Sequence, residues 1–159
     1  LSQADLEAHQ EFALQVRDAI SRLAAGVSQL DTVRDQLEGH AKVLDGEPRA
    51  KELVGMSKAL IERLNELESR MHNPEAEVSY DILAARKGGA KIYSRLSPLL
   101  MFVNEGDGAP TQGMKDVFAA QQKELAGYTG ELKALLDKEL AAIQLAAKRL
   151  DLPWVSVPK

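Results

Sequence analysis

The chain has 159 residues and no cysteine, with 20 Lys and Arg against 24 Asp and Glu for a net charge of −4. This excludes disulfides, thiolate zinc sites, iron–sulfur clusters and cysteine catalysis, and the charge is too small for a dedicated nucleic-acid or anionic-membrane binder. The length suits one domain burying roughly two-thirds of its unfolded surface. No apolar run reaches the roughly 18 residues of a membrane helix and no signal-peptide pattern opens the chain, so membrane insertion is not expected. Leu1 in place of Met points to a piece of a longer protein. Aromatics are 4% of residues while Ala, Leu, Glu, Lys and Gln dominate, the composition of long helices.

The first helix is expected over 3–44. Leu6, Ala13, Ile20 and Val27 recur every seven residues, and Val16, Leu23, Leu30, Leu37 and Leu44 form a second row. Ser2 and Asp5 fit an N-terminal capping box, and Asp45-Gly46 supplies the stop. Asp18 and Arg22 suit an i,i+4 pair on the outer face. Gly26 and Gly39, each costing about 1 kcal/mol relative to Ala, mark a close approach or a bend.

A second helix is expected over 48–72. Pro48 stands at its first position, and Leu53, Met56, Leu60, Leu64, Leu67 and Met71 follow at helical spacing. Asn73-Pro74 ends it. A link this short forces an antiparallel hairpin.

The third segment is irregular. Residues 79–87 read as helical, Gly88-Gly89 weakens the helix, and Ile92, Tyr93, Leu96, Leu99, Leu100 and Val103 resume the period. Pro98 either kinks this helix or starts a new one capped by Ser97. Residues 104–110 form a loop.

A fourth helix over about 112–150 carries Met114, Phe118, Leu125, Tyr128, Leu132, Leu136, Leu140, Ile143, Ala147 and Leu150. The expected fold is all-α, an antiparallel up-down-up-down four-helix bundle. It occupies 1–151, helices one and four are long, and 152–159 form an extended apolar C-terminal tail. In that order, about 6–20 pack against about 136–150 as a projecting two-helix extension.

No catalytic, cofactor or metal site emerges from the motifs. The residues three before His9, His40 and His72 are Leu6, Leu37 and Ser69, so the Glu-x-x-His of di-iron bundles is absent, as is a His-x-x-x-His pair. His9 reads best as a hydrogen-bonded or bundle-end histidine. The stretch from Gly108 to Gly113 has P-loop glycine spacing, but Met114 separates Lys115 from the second glycine and Asp116 follows where a hydroxyl is needed. Lys115 also stands where a calcium loop needs glutamate.

The most unusual stretch is basic. Arg86, Lys87, Lys91 and Arg95 occur with Gly88, Gly89 and Tyr93 and no acidic residue among them. With Tyr80 and Trp154, these are the candidate contacts for an acidic partner; the plainer reading is a solvated helix face with a glycine bend. A second function would be small-molecule or nucleotide binding by 86–95 and the glycine-rich 104–113. Carboxylates alternate with bases on helix exteriors, for example Glu66 with Arg70 and Lys133 with Asp137, which does not build paired catalytic acids.

The block SYDILAARKGGAKIYSRLSPLLMFVNEGDGAPTQG over 79–113 resembles the C-terminal helical region of bacterial sortilin-like (VPS10-type) BNR/Asp-box repeat propeller proteins, often labelled glycosyl hydrolases. The resemblance extends from about Ala4 to Leu152, with 79–113 its distinctive part. It implies an extracytoplasmic parent, periplasmic or secreted, whose upstream propeller and β domains would be partners of this chain. Any hydrolase activity would belong to the propellers, whose Asp-box motifs are absent here, and no catalytic residue is carried over. The expected function is a non-catalytic accessory or interaction domain, a spacer or docking module. A part of a glycan-processing enzyme is the third reading.

Overall fold

A computed structural model describes residues 2–73, 90–151 and 157. The described residues are helical and contain no strand. The expected helix over 79–87, the glycine pair at 88–89 and the extended tail lie outside them, apart from Val157.

Helix α1 spans Gln3–Leu44 without a break at Gly26. Its start is a reciprocal capping box: the Ser2 amide donates to Asp5 Oδ2 at 3.0 Å, and the Asp5 amide donates to Ser2 Oγ at 3.1 Å. The buried stripe combines Val16, Leu23, Leu30 and Leu37 with Phe12, Ala19 and Val33. The expected row through Leu6, Ala13, Ile20 and Val27 lies on the flank instead, with Leu6 exposed. Phe12, Ala19 and Val33 follow the same seven-residue period, but Gly26 fills its third place and hides the row from a hydropathy reading. A Cβ added at Gly39 would meet nothing within 4 Å, so no neighbour approaches closely there. Asp18 accepts from its neighbour Arg17, at 2.8 and 3.1 Å, rather than from Arg22.

A tight link turns α1 into the next helix. Gly46 adopts φ 86°, the left-handed region open to glycine, and the Glu47 side chain accepts from the Arg49 amide at 3.2 Å. A 3-10 turn over Pro48–Ala50 leads into α2, Lys51–Met71. Helix α3 spans Ile92–Glu105 and runs through Pro98, so no new helix starts there.

Helix α4, Gln112–Ala134, continues through a π-helical turn over Leu135–Leu140 into α5, Ala141–Arg149. The buried residues explain the π turn. Leu132 and Leu135 are three apart and Leu140, Ile143 and Ala147 follow at three and four, but Leu135 and Leu140 are five apart. Five α-helical residues turn through about 500°, roughly 140° away from the starting face. A turn bonded from i to i+5 brings both leucines back toward one face. Leu136, expected in the core, is only half-buried.

The chain forms two compact units. One contains residues 1–25 and 69–128, the other 26–68 and 129–159. In the first, Phe12 and Phe118 pack edge to face with ring centroids 5.4 Å apart, and His9 Nδ1 meets the Gly108 carbonyl at 3.0 Å. Helix α4 therefore begins beside the beginning of α1, and the two run the same way in this unit. In the second unit α1 and α2 form the antiparallel hairpin, with Ala41, Ala50 and Val54 clustered beside Leu44.

The His9 contact places the loop after α3 beside the start of α1, not at the opposite end of α1 where the up-down-up-down order expects it. Residues 6–20 and the loop at 106–111 belong to the first unit, and 136–150 and the loop at 45–47 to the second.

Candidate functional site

Of the candidate contact residues, Lys91, Tyr93 and Arg95 are described; Tyr80, Arg86, Lys87, Gly88, Gly89 and Trp154 lie outside the described residues. Lys91 is the N-cap of α3, in extended conformation and making no side-chain capping bond. Tyr93 is half-buried. Arg95 projects from the first turn of α3 onto α4, where Nη2 and Nη1 donate to the two oxygens of Glu124 at 2.7 and 2.8 Å. Such paired parallel bonds fix geometry as well as charge.

Tyr128, one turn along α4, donates its hydroxyl proton to Glu124 Oε1 at 2.6 Å, and the Arg70 guanidinium lies 5.7 Å from its ring centroid. The bond from Arg95 holds the Glu124 carboxyl below its ordinary value against the upward push of burial, and the Tyr128 bond adds to the effect. Burial, then the bond to Glu124, pushes the Tyr128 phenol up. Arg95 is raised, chiefly by Glu124. The end of the basic stretch is thus neutralised by an acid from another helix. Nothing local in the sequence announces a partner 29 residues away.

The glycine-rich loop is organised as a lead into a helix. Thr111 caps α4, its Oγ1 accepting from the Met114 amide at 3.2 Å, and its carbonyl accepts from the Lys115 amide at the same distance. Gln112 donates to Asp116 at 2.7 Å. The loop presents the Gly108 carbonyl to His9, so Nδ1 carries the proton of that bond. A shallow groove of about 300 Å³ lies beside the loop, between Phe12 and Phe118 with Glu11 and Lys115 at its edge. Its polar side chains do not pair a nucleophile with a base.

The second unit holds a tighter polar cluster. Arg34 on α1 bonds Glu68, donates to Asn65 Oδ1 at 3.0 Å and to Asp31 Oδ1 at 2.5 Å. Burial works to lower the Arg34 pKa, but Glu68, Asp31 and Asp35 outweigh it and raise it. Arg63 pairs with Glu139 in the π turn, and Lys133 pairs with Asp137. Among the described residues no group of three or more His, Asp or Glu side chains is placed to hold a metal ion, and no helix is long and apolar enough to cross a membrane.

Large apolar side chains stand out against this paired polar framework. Phe102 and Met101 on α3 are 56% and 44% exposed, and Leu6, Leu14 and Val117 of the same unit are also exposed. Leu6 belongs to the seven-residue apolar row expected on α1, whereas Met101 and Phe102 stand outside the expected apolar rows. In the second unit a groove of about 450 Å³, lined mainly by apolar atoms, lies against the α1–α2 link. Compared with known proteins, the chain matches no family model, no curated protein and no solved structure.

Proposed function

We propose that this chain is a non-catalytic helical interaction domain that docks onto another domain or partner protein through the apolar surface of its first unit. The observation that carries this reading is the exposure of Phe102 and Met101 on α3 while the neighbouring Arg95, Glu124 and Tyr128 are bonded to one another. Exposed aromatic and methionine side chains are the anchors most enriched at interfaces, and charges already paired inside the domain contribute little to an outside contact. The resemblance over 79–113 favours a sortilin-like propeller protein as the parent, with any hydrolase activity in its other domains. Docking is favoured over a spacer role, because exposed Phe102 and Met101 offer contact anchors that a spacer does not need.

Nucleotide binding has weaker support. The Met114 amide is already taken by Thr111, and Gly108 offers its carbonyl rather than its amide to the neighbouring side chain. A phosphate would need free amides at that helix start.

The test is a titration of this chain with the separately purified propeller domain of the longer protein that contains it. Saturable association, weakened at least tenfold by Phe102→Ser with helical content unchanged, supports the reading. Absence of association, or turnover of a glycan by this chain alone, overturns it.

A further inference from the structure

The α1–α2 link leaves an open groove of about 450 Å³, within the size range of binding pockets. Leu44 of α1, with Pro48 and Val54, forms its apolar wall. Along α2 the groove meets Lys51, Gly55 and Lys58, at i, i+4 and i+7, so the three stand in one row on one helix face. Glycine is a poor helix former, and among the described residues no neighbour explains it here: a Cβ added at Gly55 would meet nothing within 4 Å. The bare helix surface at Gly55 lies open to whatever enters the groove.

The charges around the groove are unevenly satisfied. Glu47 is held by Arg49, through its amide at 3.2 Å and its side chain at 3.5 Å. The Lys51 and Lys58 side chains have no hydrogen-bond or ion-pair partner among the described residues. Arg34, Arg63 and Lys133 of the same unit are all paired. Both lysines are exposed, and they stand two helical turns apart, about 10.5 Å along the axis. The Asp45 carboxylate, at the link end, is exposed and likewise unpaired among the described residues. The mouth of the groove is therefore positive along α2 and negative at the link.

From this arrangement we infer that the groove is a docking site for an acidic amphipathic helix of a partner protein. An apolar side chain of that helix fills the space between Leu44 and Val54, over Gly55. Carboxylates three or four residues to either side of it reach Lys51 and Lys58, because residues two turns apart on the partner match the spacing of the two lysines. The missing Cβ at Gly55 lets the two helices approach toward the short end of the roughly 8–10 Å between packed axes. Asp45 sets the direction: the partner carries a neutral or basic residue over the link and its acids over α2. The charges steer and orient the partner, while the apolar side chain supplies most of the affinity. The site lies wholly within the second unit and is independent of the docking role of the first.

The test follows the amide NMR signals of the intact, isotope-labelled chain on addition of a capped peptide of about 16 residues, long enough to sample helix. The peptide is built of Ala and Gln, with a central Leu and Glu three residues before and four residues after it. At low salt, saturable shifts should centre on Leu44, Val54 and Gly55, and the affinity should fall several-fold with added salt. Lys51→Glu with Lys58→Glu should weaken binding at least tenfold. The same change of charge in the first unit, Lys115→Glu with Lys123→Glu, should not. Gly55→Gln should also weaken binding at least tenfold, while circular dichroism stays helical and the melting temperature does not fall. Phe102→Ser should leave peptide binding unchanged. Absence of saturable shifts at millimolar peptide would overturn the inference, as would equal binding of a peptide with Lys in place of both Glu. Loss of binding in Phe102→Ser would assign the peptide to the first unit and overturn it as well.

Discussion

Arg95 and Glu124 meet through two parallel bonds of 2.7 and 2.8 Å, joining the first turn of α3 to the middle of α4. The pair orients Tyr128, whose ring in turn faces Arg70 at the end of α2. Three helices of the first unit are thereby tied by one carboxylate. The basic stretch that looked like a free cationic patch ends in an internal tie.

Glu124→Gln should cost about 0.5–1 kcal/mol at neutral pH, the usual scale for a partly exposed ion pair. Because folding lowers the Glu124 pKa from the ordinary 4.5, its stabilisation is present above that value and is lost as pH falls through the lowered one. Urea unfolding at a series of pH values should show the deficit of the variant shrinking toward acid. A deficit that grows in acid would contradict the assigned charge state.

Glu68→Ala should be more damaging than Glu124→Gln. Arg34 has a side-chain exposure of only 19%, so removing Glu68 leaves a largely buried charge short of a partner, at about 2–3 kcal/mol. Replacing both Arg34 and Glu68 by methionine should restore much of the loss. A double-mutant cycle in urea checks this, and strict additivity would show that the two side chains do not interact.

Phe118→Ala should lower stability by about 3–5 kcal/mol, because it empties a buried site against Phe12. Phe102→Ala, exposed on α3, should change stability by less than about 0.5 kcal/mol. Thermal melts of the two variants separate core from surface. Similar losses would place Phe102 in the core and remove it as a docking residue.

Gly39→Ala should raise stability by about 0.5–1 kcal/mol, since the position is helical and a Cβ there meets nothing within 4 Å. Melting shows the sign at once. A destabilised variant would mean that the glycine serves a contact other than local helix geometry.

How far the sequence could be read depended on whether a signal was local. The capping box of Ser2 and Asp5, the turn at Gly46 and the extent of α1 all follow from residues within a turn or two of one another. The buried row through Phe12, Ala19 and Val33 was missed because Gly26 interrupts its hydropathy without interrupting its period. The run of α4 beside α1 was missed for a different reason. Helix periodicity is blind to direction, and what sets direction here is the contact of the Gly108 loop with His9. The partners of Arg95 and Arg34 are likewise tertiary, chosen by which faces meet.

The π turn over Leu135–Leu140 absorbs one residue more than an α-helix needs between its two buried stretches. Deleting one residue there, such as Lys138, would leave Leu135 and Leu140 four apart, a spacing that a plain α-helical turn carries on one face. The stripe of Ile143 and Ala147 would keep its facing as the turn reverts to α-helix. Inserting a residue, or deleting one in the α-helical stretch on either side, would instead swing that stripe by about 100° relative to Leu132 and Leu135 and turn residues that now face water inward. A loss of one residue is therefore absorbed at this turn and nowhere else along the helix.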